Sequence, residues 1–324
     1  MGKKYYISIL LVLWSVKLMA QLEALSTQYM HSQLMINPAY TGVRNSFAVN
    51  LMARHQWMGL DGAPVNYNVS IHSPLNKSMV SLGAALNSYQ VGPVQNNRFN
   101  FYYSYLIRLR HNMFLSLGVT AIANHYGFSA DDWKVIDPED PNFLGGSQNS
   151  FKPNAGAGMF LYTPSFYLGI SVPQFMDYYF KSKDSDQIIS EVKRHYYLST
   201  GYGFSISKEF YLKPSTLARF VENGMYSVDA NLQLLYKELF SVGVSYRFDT
   251  AVAFVGGFRL SDHLNIHYSY DMSTESTGIN KGSHEITLSF DSGKMLKRNR
   301  DRMFQKKRKK EQDEGGAMRS IRYF

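Results

Sequence analysis

Few residues in this 324-residue chain stand at spacings that could support catalysis. His284-Glu285 comes nearest to a zinc-hydrolase signature, which needs a second His one helical turn away and a helix to carry both. The second His is missing, and the surrounding residues alternate as a strand does, so the pair reads as part of a lumen or an interface. Gly201-Tyr202-Gly203 lacks the third glycine and following helix of a phosphate cradle, and reads as small residues lining a strand face. Asp131, Asp132, Asp137, Glu139 and Asp140 collect oxygen ligands in one loop without the spacing of an EF-hand, so they read as a solvated loop. Gly-x-Ser-x-Gly and P-loop motifs are absent. The lack of cysteine removes thiolate nucleophiles, thiolate metal sites and disulfides. No catalytic residue, cofactor or metal site is assigned. A barrel enzyme with an Asp and a His at its outer rim is the one catalytic reading left, and fold alone gives it no support.

The elements that would position any site are strands. Val65 to His72 alternates apolar and polar without a fault, and Arg98 to Arg110 places Phe99, Phe101, Tyr103, Tyr105, Ile107 and Leu109 on one face. Further alternating segments run from Phe47 to Trp57, Val80 to Val91, Met113 to His125, Asn154 to Tyr162, Phe166 to Val172 and Tyr196 to Ile206. The series continues with Tyr211 to Phe220, Ser227 to Tyr236, Ser241 to Phe248, Ala251 to Leu260, Leu264 to Tyr270 and His284 to Phe290, making fourteen strands. Alternation is weakest in Tyr211 to Phe220, which contains Pro214, and in Ala251 to Leu260, so either could be a bulged or edge-like element.

Periodicity cannot separate a soluble sandwich from a membrane barrel, because either buries one face of each strand. Composition and connections can. The 24 Tyr, 21 Phe and 24 Gly against 18% charged residues suit a barrel with aromatic girdles. The expected connections run mostly long then short: Met58 to Pro64 then Leu75 to Ser78, Gly92 to Asn97 then His111-Asn112, Gly127 to Pro153 then Thr163 to Ser165, and Pro173 to Lys193 then Ser207 to Phe210. Asp249-Thr250 breaks the rhythm. Outer-membrane barrels have long outer loops and tight periplasmic turns, so the expectation is an all-β, transmembrane, antiparallel outer-membrane barrel of about 14 strands, embedded in outer-membrane lipids. An even strand count returns the C-terminus to the periplasm.

The ends divide from the barrel by charge and pattern. Residues 1–20 have the layout of a secretory signal peptide, with Lys3 and Lys4, an apolar run from Tyr5 to Val16, and Ala20 before Gln21. That run is too short to span a bilayer as a helix. Gln21 also excludes a lipid-anchored cysteine at the new N-terminus. Residues 21–44 form an N-terminal segment with Leu22, Leu25, Tyr29 and Met30 on one helical face before a turn at Asn37 to Gly42; it reads either as a periplasmic lead-in or as a plug. Residues 45–290 form the barrel. Residues 291–324 form a basic periplasmic tail, disordered by composition. From Lys294 onward the charge is +8, the signal adds +3, and −2 of the formal +9 is left for residues 21–293. Basicity confined to the ends argues against a nucleic-acid surface. Lys306, Lys307, Arg308, Lys309 and Lys310 are either a solvated extension or a dock for periplasmic secretion machinery or cell wall.

Taken in order, Ser26 to Gly42 (STQYMHSQLMINPAYTG), Arg54 to Pro64 (RHQWMGLDGAP), Ser70 to Leu75, Leu212 to Ser215, Gly243 to Arg247, Tyr268 to Asp271 and Gly282 to Ile286 resemble the PorP/SprF family over residues 21–290. The resemblance implies an outer-membrane barrel of the type IX secretion system of Bacteroidetes. Such a barrel would deliver or hold at the cell surface a secreted client bearing a C-terminal sorting domain, and in some species would support gliding. It also implies Tyr29, Asn37, Pro38, Tyr40 and Gly42 as an N-terminal structural or binding element, with Trp57, Asp61, Gly62 and Pro64 at the first outer loop as partner-binding residues. The basic tail is not part of this pattern. The alternative from another class is an outer-membrane pore or hydrophobic-solute transporter.

Overall fold

The computed structural model describes residues 26–75, 78–110, 112–128, 148–181, 188–221, 226–274 and 282–292. The signal segment, the acidic stretch 131–140 and the basic run 306–310 lie outside the described residues. Strands β1 (Ala48–His55), β2 (Val65–Pro74), β3 (Val80–Val91), β4 (Val94–Arg110), β5 (Met113–Phe128), β6 (Gln148–Tyr162) and β7 (Phe166–Val172) are successive antiparallel neighbours. A separate hairpin of β8 (Tyr178–Lys181) and β9 (Ile188–Val192) follows. The wall resumes with β10 (His195–Tyr202) and β11 (Phe204–Ser205), one strand broken at Gly203. It continues through β12 (Phe210–Val221), β13 (Tyr226–Tyr236), β14 (Phe240–Arg247), β15 (Ala251–Arg259), β16 (Leu264–Ser273) and β17 (Ser283–Asp291).

β17 pairs with β1 from Ala48↔Asp291 to His55↔His284, which closes a 14-strand barrel. Closure gives each interior strand two hydrogen-bonded neighbours and leaves no edge, the condition for strands to cross a bilayer. Among the described residues no helix is long and apolar enough to cross a membrane. The alternation has the sense of a membrane barrel. Phe99, Phe101, Tyr103 and Tyr105 of β4 point out and are exposed, while Asn100 and Ser104 between them point in and are buried.

The strands agree with the sequence expectation, apart from their ends and two connections. Gly92 to Asn97 is not a long loop: β3 and β4 pair up to Val91↔Val94, leaving Gly92-Pro93 as a two-residue turn. Pro173 to Lys193 is not all loop, since it contains the β8–β9 hairpin. Neither suspected strand is bulged or at an edge. β12 and β15 are paired without a register shift on both sides; shifts lie instead at Arg108–Arg110 in β4 and at Phe180–Lys181 in the β8–β9 hairpin. Pro214 is tolerated because its missing N–H coincides with the break in the neighbouring strand at Gly203, whose own N–H turns to the Ser165 carbonyl at 2.7 Å.

Residues 26–47 lie inside the cylinder. Ser26 to Gln28 sit level with Arg54, Asp271 and Glu285, near the end that carries the loop 56–64, and Ser46-Phe47 reach the opposite end, where β1 begins. Two short 3-10 turns, Gln33–Met35 and Pro38–Tyr40, shape the path. Asn37 caps the second turn by accepting the Ala39 N–H at 2.9 Å, and it donates to the Met159 carbonyl at 3.0 Å. Leu34, Ala39, Tyr40 and Val43 pack on Tyr102, Leu106, Phe114, Phe160 and Tyr167 of the wall, an apolar core within a polar lumen.

The close approach of this segment to the wall depends on glycine. A Cβ at Gly118 would overlap the backbone of Pro38 and Ala39, and one at its cross-strand partner Gly158 would overlap the Asn37 amide. We expect Gly118→Val to destabilise the barrel by about 2 kcal/mol through overpacking. Urea titration in detergent would read this as a lower midpoint, and an unchanged midpoint would show that the segment does not press on the wall there.

Candidate functional site

The most concentrated chemistry lies where the internal segment meets β1, β16 and β17. Arg54 donates from one terminal nitrogen to Asp271 Oδ2 at 2.7 Å and from the other to Glu285 Oε2 at 2.9 Å. All three side chains are buried. Glu285 also accepts the Ser26 hydroxyl at 2.6 Å, the Thr27 N–H at 2.9 Å and the Gln28 N–H at 3.2 Å, and Asp271 accepts the Thr27 hydroxyl at 2.6 Å. Buried ions persist only when paired and hydrogen-bonded. Here the backbone of the internal segment supplies part of that satisfaction. His284 and Glu285 fall on opposite faces, as period two requires: Glu285 enters the lumen and His284 meets Tyr268 on the outer wall at 2.7 Å.

Below this cluster the segment bonds around the wall. Tyr29 meets Ser215 at 3.1 Å, Gln33 donates to Tyr167 at 3.1 Å, Ser104 donates to the Thr41 carbonyl at 2.8 Å, and the Gly42 N–H donates to His72 Nδ1 at 3.0 Å. The His31 ring stacks on His267 with centroids 3.7 Å apart. Burial, then the nearby His267, Lys213 and Arg44, hold the His31 imidazole well below its ordinary range and keep it neutral. Burial likewise pushes the Tyr29 phenol up.

The structure divides the sequence-derived partner residues into two groups. Tyr29, Asn37, Pro38 and Tyr40 are buried inside the barrel and are out of reach of an external partner while the segment is seated. Trp57, Asp61, Gly62 and Pro64 come together in the loop between β1 and β2. The Gln56 N–H donates to the Pro64 carbonyl at 2.9 Å, Met58 N–H to the Gly282 carbonyl at 3.0 Å, and Gly92 N–H to the Gly62 carbonyl at 2.9 Å. Trp57 takes positive φ and donates its N–H to Ser283. The loop is thereby tied to both neighbouring connections and presents Asp61 outward with Met58, 60% exposed, and Leu60, 40% exposed. Met58 and Leu60 were absent from the sequence-derived set, although they lie between members of it. A recess of about 1400 Å³, open to solvent, runs from this loop past Gln95 to Phe128 and Asn149.

A closed antiparallel barrel with an apolar outer face and its own N-terminal residues in the lumen defines an integral protein of the bacterial outer membrane. The chain belongs to the PorP/SprF family, described as type IX secretion system membrane protein PorP/SprF, which its residues 18–290 match. It is thus a membrane component of type IX secretion. No curated protein sequence matches the chain. Among solved structures it is similar to the Ralstonia pickettii toluene transporter TbuX, with 10% identity, TM-score 0.49, and 82% of this chain and 93% of that one covered. The CymD monoaromatic hydrocarbon channel gives 11% identity, TM-score 0.49, and coverage of 84% and 94%. The Acinetobacter baumannii outer membrane protein Omp33 gives 10%, 0.43, and 76% and 97%. These likenesses say nothing of what this chain conducts or holds.

Two outcomes are expected of the lumen. Glu285→Ala leaves Arg54 with one carboxylate and removes the acceptor of Ser26, Thr27 and Gln28, a loss of about 3 to 5 kcal/mol for a broken buried pair. Limited proteolysis would then cut within residues 26–47 of the variant; equal resistance in both proteins would contradict an anchoring role. The neutral His31 contributes stability that is fully present above the ordinary imidazole pKa of about 6.5 and is lost as pH falls below it, by up to about 1.4 kcal/mol per pH unit. Unfolding midpoints between pH 7.5 and 5.5 should fall in the parent and fall less in His31→Gln.

Proposed function

We propose that this barrel is a non-enzymatic component of the secretion system that receives or retains a secreted client, bearing a C-terminal sorting domain, at the cell surface. In this reading the client is met by the rim around Trp57, Asp61, Gly62 and Pro64, with that rim outside the cell and the basic tail in the periplasm. The observation that carries it is the contrast between the two groups of family-motif residues. The lumen residues are committed to the protein's own N-terminal segment, while the rim loop is tied down and displays Met58, Leu60 and Asp61. Ordered loops with exposed large apolar side chains suit protein recognition, because little ordering entropy is lost when they are covered. The strand ends joined by the four longest connections, 56–64, 129–147, 173–194 and 274–282, all lie at the rim's end of the barrel, which supports the same orientation. Family membership supplies the class of partner, secretion components and cargo, and not its identity.

The test is affinity capture from detergent extracts of the native host, with the parent protein and a Met58→Asp/Leu60→Asp variant, paired with conductance in planar bilayers. A secreted protein should co-purify with the parent and fall about tenfold or more in the variant, as for loss of interface anchors, with little conductance from either. Capture of no secreted protein, together with steady ion conductance, would overturn the proposal in favour of a pore.

A further inference from the structure

The back wall of the recess beside the rim loop is a single cross-strand row. His55 pairs with Val65, Val65 with Gln90, Gln90 with Gln95, Gln95 with Gly127 and Gly127 with Asn149, so the row crosses the neighbouring strands β1 to β6. It faces away from the lumen, because its positions alternate with Arg54, Asn66, Tyr89, Asn96 and Tyr126, which are buried inside. His55 agrees with this orientation, its ring meeting the hydroxyl of the outward Tyr67 at 3.2 Å. The loop from Gln56 to Ala63 and the turn at Gly92-Pro93 border the recess beyond the strand ends.

The height of the row on the wall decides what it meets. Leu51, Val69, Leu86, Phe99, Ala123 and Pro153 form the last outward row that is apolar throughout, four residues further from the rim on every strand. At ~3.3 Å per residue and a strand tilt of ~40°, that offset is about 10 Å along the membrane normal. Between the two rows Tyr67 and Phe151 are 48% and 64% exposed, in the position of an interfacial aromatic girdle. The row of the recess therefore lies beyond the girdle, where lipid headgroups replace acyl chains.

The lining is polar without being cationic. Gln90, Gln95 and Asn149 are exposed, and each amide offers two donors and an acceptor, which matches hydroxyl groups that both give and receive a hydrogen bond. Among the described lining residues Asp61 carries the only formal charge, and none is Lys or Arg. A carboxylate accepts from a hydroxyl and repels a phosphate. Met58, Leu60 and Phe128 add apolar surface suited to the C–H face of a sugar ring.

We propose that this recess holds the neutral sugar headgroup of an outer-leaflet glycolipid, with Gln90, Gln95 and Asn149 bonded to its hydroxyls and its acyl chains running down the wall past Tyr67 and Phe151. The proposal rests on the orientation proposed above, with the rim outside the cell, and needs no client.

The test places the full chain in phosphatidylcholine nanodiscs with and without a neutral glucosyl-diacylglycerol and counts the lipids it retains by native mass spectrometry. The glycolipid should be retained in preference to phosphatidylcholine. Retention should fall about tenfold in Gln90→Ala/Gln95→Ala, as for loss of two neutral hydrogen bonds, and Asn149→Ala should lower it too if the double variant fails to fold. No preference over phosphatidylcholine, a stronger preference for phosphatidylglycerol, or retention unaltered by these variants would overturn the proposal. Because the chain has no cysteine, Asp61→Cys reads the orientation separately. Labelling in intact cells by a maleimide too large for porins supports a rim outside the cell, and labelling only after lysis would overturn that orientation and the glycolipid site with it. Labelling in intact cells without glycolipid preference would overturn the glycolipid site alone.

Discussion

The pairing of Arg54 with Asp271 and Glu285 is the constraint on which much of the rest depends. A closed strand cylinder in lipid turns its apolar side chains outward and is left with a polar interior that must be satisfied. In this protein the satisfaction is not left to water alone. Glu285 gathers a guanidinium, a hydroxyl and two backbone N–H groups within 2.6–3.2 Å, and so joins the two ends of the barrel seam to residues 26–28 in one buried site. With that end pinned and Phe47 continuous with β1, the residues between are held at both ends. Small residues such as Gly118 and Gly158 can then be pressed against them, and an apolar core around Tyr40 and Phe160 can form where a porin would keep a channel.

The two ends of the barrel differ in kind. The rim displays Met58 and Leu60 on a loop braced by backbone bonds, and the opposite end is made of connections of at most five residues. The lumen between them belongs to the chain itself. Membership of a secretion family thus falls on a barrel whose interior is filled by its own residues.

Much of the fold was legible because strand period and membrane alternation report the same thing. Each of the fourteen alternating segments became a wall strand, and Phe166 to Val172 and Val80 to Val91 kept their bounds. Connections were less legible, for local reasons. Gly92-Pro93 looked like the start of a loop, yet backbone pairing continues through polar residues up to the turn. Pro214 looked like an edge signal, and only the break at Gly203 in the neighbouring strand shows why it is harmless. The internal segment was ambiguous because residues 22–30 have a helical apolar stripe, whereas what fits them to the lumen is Ser26, Thr27 and Gln28, whose partners lie more than 240 residues away. Of the site, Trp57 to Pro64 could be picked out as a cluster. Arg54, Asp271 and Glu285 could not, since each looks like an ordinary lumen polar group until strand closure sets them side by side.

The span of that closure bears on how the protein comes into being. Ser26 and Glu285 are separated by 259 positions, so the first described residues acquire their anchor only when the last hairpin, β16 and β17, is in place. Contacts of such long range form late and slowly, because the whole intervening chain must be ordered first. An incomplete barrel has no seam between β1 and β17 and no carboxylates for Thr27. Seating of the N-terminal residues is therefore a readout of completed synthesis, and a chain truncated before Glu285 would reach the membrane with its amino-terminal segment lacking that anchor.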